Sequence, residues 1–174
     1  MSRIALFPAT FDPVTNGHVS IAERSAALFD ELVVGVYAHE GASGKAPLFT
    51  LEERVELARD AVAHIENARV AAFDGLAVEF ARDVGAQVVV RGLRVADDFE
   101  FERQMAMMNG HLAPEIETML LISKPAHAFV SASLVREVAM MGGEVSDLVP
   151  PSTAAALDAK FESSTMSPST QPGE

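Results

Sequence analysis

Short apolar runs alternate along the chain with stretches whose apolar residues recur every three or four positions, a pattern that predicts a β-α-β-α order. Ile4 to Phe7 reads as a first strand, followed by a loop through Pro8, Asp12, Pro13 and Asn16. A helix is expected from Gly17, with Val19, Ala22, Ala26 and Phe29 on one face. Leu32 to Tyr37 is unbroken apolar sequence, as suits a strand covered on both faces of a parallel sheet. His39 to Pro47 reads as a loop. Thr50 and Glu53 form a T-x-x-E capping box, and Leu51, Val55, Ala58, Val62 and Ile65 supply the stripe of the helix it opens. Further on, Arg69 to Phe73, Gln87 to Val90 and Glu117 to Ile122 are predicted strands. Leu76 to Val84 and Asp97 to Leu112 are predicted helices, the second with Phe101, Met105, Met108 and Leu112 on one stripe. Ser131 caps a helix running to about Met141, where Gly142-Gly143 supplies a left-handed stop. A last helix follows Pro150-Pro151 and runs to Phe161, and residues 162–174, rich in Ser, Thr and Pro, are expected to be a disordered tail. The order predicts an α/β fold over residues 1–161: a single-domain, Rossmann-like open parallel five-stranded sheet with helices on both faces.

Composition narrows the function classes. A chain of 174 residues with 49% hydrophobic and 22% charged residues is an ordinary globular mixture with room for one core. It has no cysteine, which excludes disulfides, thiolate zinc sites and a cysteine nucleophile, and fits a reducing, cytoplasmic setting. The opening residues lack the pattern of a secretory leader, and no apolar run is long enough for a membrane span, so neither secretion nor a membrane partner is expected. With 25 acidic against 13 basic residues the net charge is −12, which argues against a nucleic-acid partner. Any phosphate site must therefore be local.

Ligands of open α/β sheets bind beyond the carboxyl ends of the strands, near the point where strand order reverses. After the first strand comes P-A-T-F-D-P-V-T-N-G-H, which puts His18 in the first turn of a helix, beside unpaired backbone N–H groups that suit an anion. The competing account has Asn16 simply capping the helix and His18 on the surface. After the fourth strand, V-V-V-R-G-L-R sets Arg91 and Arg94 around a glycine, where two guanidiniums can grip phosphate oxygens. They could equally neutralise Asp97, Asp98 and Glu100. F-V-S-A-S-L-V-R-E offers Ser131 and Ser133 at a helix start, with Arg136 one turn on, for a phosphate or for capping alone. The segment G-A-S-G-K-A lacks the first glycine and the hydroxyl residue of a P-loop, and no G-x-G-x-x-G fingerprint is present. His64 and His111 lack partners at metal spacing, and Met105, Met107, Met108, Met140 and Met141 read as core or subunit-contact residues.

T-N-G-H, R-G-L-R and S-x-S-x-x-R in this order resemble the nucleotidylyltransferase superfamily. The longer matches F-P-A-T-F-D-P-V-T-N-G-H, L-F-T-L-E-E-R, D-F-E-F-E and F-V-S-A-S-L-V-R-E-V-A resemble the bacterial phosphopantetheine adenylyltransferase family over about residues 3–160. The resemblance implies transfer of the adenylyl group of ATP to 4′-phosphopantetheine, giving dephospho-coenzyme A and pyrophosphate. It implies magnesium as cofactor, held mainly through the ATP phosphates with no protein metal ligand. It also implies a homohexamer, with coenzyme A a candidate feedback inhibitor. By the same resemblance His18 stabilises the transition state, with Thr10, Lys45 and Arg94 beside it as catalytic residues. Thr10, Phe11, His18, Gly92, Leu93, Arg94, Glu102 and the stretch His127, Ala128, Phe129, Val130, Ser131, Ala132 and Ser133 would bind ATP. Thr10, Lys45, Ala77 and Arg91 would bind the acceptor. Ala9 stands where the family has glycine, Ala132 interrupts its serine run, and His127 replaces a tryptophan or tyrosine. Other members of the superfamily, such as a cytidylyltransferase or a nicotinate mononucleotide adenylyltransferase, and a non-catalytic nucleotide sensor are the alternatives.

Overall fold

The computed structural model describes residues 2–38 and 46–165, with side chains through Glu162. Five strands and six α-helices are found among the described residues, in the order β1 (Ile4–Ala9), α1 (Asn16–Ala26), β2 (Glu31–Tyr37), α2 (Leu51–Val62), β3 (Ala68–Phe73), α3 (Ala77–Asp83), β4 (Val88–Leu93), α4 (Ala96–Leu112), β5 (Glu117–Ile122), α5 (Ala132–Met140) and α6 (Pro151–Thr165). A 3-10 turn, Pro125–His127, precedes α5. The sheet runs β3-β2-β1-β4-β5. Every pairing is parallel, as predicted.

Alternation along the strands divides the core. Ala5, Phe7, Val34 and Val36 face a layer built from α1, α2 and the C-terminal helices, while Leu6, Val33 and Val89 face Val78 and Ala81 of α3 on the opposite side. Gly35 is required where β2 passes β1 and β3, because a Cβ there would stand 2.9 Å from Leu6 Cδ1 and 3.0 Å from Phe73 Cε1. The chain reverses strand order between β1 and β4. Their pairing covers only Ala5–Val88 and Leu6–Val89, short of the C-terminal ends of both strands, so the sheet parts there and a cleft opens.

Several elements differ from the sequence expectation. β4 continues through Leu93, because Arg91, Gly92 and Leu93 keep their register with Leu120, Leu121 and Ile122 of β5. Arg91 and Gly92 are thus strand residues, and the arginine and glycine that suggested a loop are accommodated by ladder pairing. The cap of α1 is Thr15, and its partner in a capping box is His18. Asn16 is the first helical residue and donates through Nδ2 to the Asp147 carbonyl. α6 runs past Phe161 to Thr165. The stripe on α4 is the largest departure: Phe101, Met105, Met108 and Leu112 are 57, 41, 54 and 41% exposed. Met107, Met140 and Met141 are exposed as well, so none of these methionines is core. His64, just past the end of α2, pairs with Glu23 of α1 at 2.9 Å.

Candidate active site at the strand-order switch

The cleft between β1 and β4 encloses about 280 Å³ and is walled by Phe7, Ala9, His18, Ile21, Arg91, Gly92, Arg94, Glu102 and the segment from Val130 to Ser133. Its floor is strand and its rim is made of helix starts. β1 places Phe7 and Ala9, β4 places Arg91 and Gly92, α1 brings His18 in its first turn, and α5 brings Ser133 in its own.

His18 is fixed by its own helix cap. The Thr15 backbone N–H donates to His18 Nδ1 at 3.0 Å, and the His18 N–H returns to Thr15 Oγ1. Because Nδ1 accepts a hydrogen bond, the ring proton sits on Nε2. The imidazole packs edge-on against Phe11, with centroids 5.0 Å apart, and Phe11 itself sits at a positive φ of 50. Burial, reinforced by the charges of Arg94 and Arg91, lowers the His18 pKa to about 4. At neutral pH the cleft therefore holds an uncharged imidazole that can donate from Nε2 next to two cations.

The arginines sit in different settings. Arg91 makes a forked pair with Glu102, at 2.9 Å to Oε2 and 2.8 Å to Oε1, and donates through Nη1 to the Pro8 carbonyl at 2.8 Å. Desolvation works against its charge, but the Glu102 hydrogen bonds and charge outweigh it and raise its pKa. Arg94 pairs with Asp98 at 3.1 Å and donates to the Val130 carbonyl. Neutralisation by α4 carboxylates is thus realised through Glu102 and Asp98, and both guanidiniums still line the cleft. Ser131 caps α5 by accepting from the Leu134 N–H at 3.1 Å, while Ala132 and Ser133 open the helix on the cleft side, at its positive end.

The structure thus gathers His18, Arg91, Gly92, Arg94, Glu102, His127, Val130, Ser131, Ala132 and Ser133 from five separate segments into one wall. Thr10, Phe11, Leu93, Ala128 and Phe129 adjoin that wall without lining it. The Thr10 carbonyl is held by Arg54, Phe11 is buried behind His18, and Phe129 projects outward at 62% exposure. Ala77 opens α3, which packs beneath β1 and β4, and does not line the cleft. Lys45 lies outside the described residues. Arg136, read as a further phosphate cation, instead binds Asp12 Oδ2 at 2.6 Å.

Two supporting residues escaped the sequence reading. Arg54 is 1% exposed and donates to the carbonyls of Thr10, Tyr37 and Phe49. Asp12 accepts from the backbone N–H groups of Leu48 and Phe49. An arginine beside a capping box on an otherwise apolar face was the available signal for Arg54.

With the geometry in place, the chain can be set beside known proteins. A cytidylyltransferase-like family model matches residues 6–138. A phosphopantetheine adenylyltransferase of Thermomicrobium roseum is 52% identical over 162 residues, covering 92% of this chain and 96% of the relative. A second of that name, from Heliobacterium modesticaldum, is 49% identical over 91% of this chain and 92% of its own length, and a third, from Xylella fastidiosa, is 50% identical over 89% and 94%. Among solved structures, one assigned to a nicotinate-nucleotide adenylyltransferase of Vibrio parahaemolyticus superposes with a TM-score of 0.67 at 16% identity, covering 90% of this chain and 99% of that one. At that identity the likeness speaks for the fold.

Proposed function

The chain belongs to the phosphopantetheine adenylyltransferase family, and from that premise we propose how its cleft transfers the adenylyl group of ATP to 4′-phosphopantetheine. A phosphate oxygen of the acceptor forms a bond to the α-phosphorus as the bond to the β-phosphate bridging oxygen breaks. Pyrophosphate leaves with that electron pair, and dephospho-coenzyme A is formed. No covalent enzyme intermediate is needed, so the protein contributes placement and charge stabilisation.

The observation that carries this reading is the neutral His18, its Nε2–H set by the Thr15 bond to Nδ1 and flanked by Arg91 and Arg94. Such a donor can follow the charge that develops on the α-phosphoryl oxygens without giving up a proton. Arg94 and the start of α5 are suited to the β- and γ-phosphates, and Arg91, steadied by Glu102, to the acceptor phosphate. Thr10 and Phe11 shape the loop under the nucleotide. Lys45 and Ala77 are retained as acceptor contacts from the family resemblance alone.

Magnesium enters this reading with the nucleotide. No trio of metal-ligating side chains clusters among the described residues, and the cleft carboxylates Asp98 and Glu102 are engaged by arginines. That donor set suits an ion carried chiefly by phosphate oxygens and water. When bound, the ion neutralises triphosphate charge.

The exposed α4 stripe supports a homo-oligomer, and we take the hexamer of the family resemblance as its form. Coenzyme A, sharing both ends of the product, would compete for the same cleft. A cytoplasmic setting fits the cysteine-free composition, and no helix among the described residues is long and apolar enough to cross a membrane.

Pyrophosphate release across a panel of acceptors and nucleotides tests the reaction. Turnover should be highest with ATP and 4′-phosphopantetheine. Equal or higher turnover with nicotinate mononucleotide, or with CTP, would move the protein to another branch of the superfamily.

A further inference from the structure

Asp12 lies in the β1–α1 loop at 6% exposure, and the steps above make no use of it. A buried carboxylate is costly unless it is paired, and this one is engaged on both oxygens. Oδ1 accepts from the Phe49 N–H at 3.0 Å, and Oδ2 accepts from the Leu48 N–H at 2.9 Å and from Arg136 Nη1 at 2.6 Å. The donors come from segments far apart in the chain, Arg136 lying 124 residues away.

These partners belong to two separate segments that border the cleft, though neither lines it. Asp12 belongs to the loop that ends in Thr15, the residue that fixes His18 Nδ1. Arg136 belongs to α5, whose first turn presents Ala132 and Ser133 to the cleft. Arg54 locks the near side of this bridge, tying Thr10 of the same loop to Phe49 and to Tyr37 at the end of β2. With that side held, the ion pair fixes where the start of α5 stands relative to His18. Stability alone gives little reason for such a pair, because well-packed apolar residues commonly match a buried ion pair.

We propose that Asp12 and Arg136 are positioning residues for adenylyl transfer, their ion pair holding the phosphate-facing start of α5 in register with the His18 turn. Neither lines the cleft. The inference rests on the adenylyl-transfer reading, and its signature is asymmetric: loosening α5 disturbs the nucleotide side and spares the acceptor side.

The test uses the full chain and three variants, Arg136→Met, Arg136→Lys and Asp12→Asn, with steady-state kinetics for each substrate and ATP affinity by calorimetry in the presence of magnesium. Arg136→Met is expected to keep wild-type circular dichroism, to lose at least about tenfold in kcat/KM for ATP, and to keep its KM for 4′-phosphopantetheine within about twofold. Arg136→Lys, which still carries a cation to Asp12, should recover to within about threefold of wild type. Adding Asp12→Asn to Arg136→Met should cost no more than the worse single change, since both break one bridge. Wild-type kinetics in Arg136→Met, or equal losses for both substrates, would overturn the proposal. Should Arg136→Met fail to fold, Arg136→Gln, which keeps a neutral donor for Asp12, is read by the same criteria. Absence of turnover in the wild-type protein would instead count against the reaction. ATP affinity would then decide the positioning role, an unchanged value in Arg136→Met refuting it and a weakened one supporting it.

Discussion

Helix α2 packs Val55, Ala58 and Val62 against the sheet, at 0 to 8% exposure, whereas α4 leaves Phe101, Met105, Met108 and Leu112 at 41 to 57%. Yet each sends one charged side chain inward to serve the cleft. From α2, Arg54 gathers the carbonyls of Thr10, Tyr37 and Phe49; from α4, Glu102, alone buried among that helix's described residues, grips Arg91. The difference lies in what covers the apolar side. α2 sits between the sheet and α6, while α4 follows β4 near the open edge of the sheet at β5, and among the described residues its stripe stays exposed. An apolar stripe at helical spacing is thus not by itself a mark of burial within the chain, since the fold decides which stripes its own elements cover.

The largest way to break this contrast is to place a charge on each stripe. Ala58→Asp buries an unpaired carboxylate at a position with no exposure, and should cost more than about 4 kcal/mol and abolish the folded state by circular dichroism. Met108→Glu, already half exposed, should keep the far-UV spectrum while light scattering reports a smaller assembly. A folded Ala58→Asp protein, or an undiminished assembly in Met108→Glu, would remove the distinction.

The inward charges sharpen it next. Arg54→Met leaves three carbonyls without their donor and should destabilise by roughly 3–5 kcal/mol in denaturant unfolding. Glu102→Gln frees an arginine whose side chain is 29% exposed and can turn to water, so about 1–2 kcal/mol is expected, with a raised KM for the acceptor. Equal stability losses would show that both charges are merely structural.

An effect of similar size is a pH slope. His18 has a folded pKa of about 4 against 6.5 for an unperturbed histidine, so below pH 6.5 the unfolded chain takes up a proton that the folded one refuses. Stability should be complete well above pH 6.5 and His18 should remove about 2 kcal/mol of it between pH 6.5 and 4.5, while carboxylates lowered in the fold, such as Glu53, add their own loss toward the acid end. His18→Gln should flatten that part of the curve; an unchanged slope would mean that His18 titrates normally.

Much of this architecture was legible in the sequence because period and capping are local. The T-x-x-E box at Thr50 and Glu53 forms as read, and β5 spans Glu117–Ile122 as predicted. What escaped was long-range. Nothing near Asp12 announces Arg136, and β4 outruns its apolar residues because β5 offers it a ladder. The capping of α1 by Thr15 was hidden for another reason: Asn16 is the better cap by type, but His18 stands at the third helical position counted from Thr15, where it closes the box. Two readings of Arg91 and Arg94 stood open, phosphate grips or partners of Asp97, Asp98 and Glu100; the structure pairs Arg94 with Asp98 and Arg91 with Glu102, which was not foreseen, and leaves both lining the cleft.

The central claim is that a neutral His18, donating from Nε2, stabilises the adenylyl transfer. Its most direct test is pyrophosphate release from ATP and 4′-phosphopantetheine by His18→Ala beside the wild-type protein. A loss of at least about a hundredfold in kcat, with an unchanged far-UV spectrum, is predicted for removal of one preorganised transition-state donor. A folded His18→Ala protein turning over at a near-normal rate would contradict it.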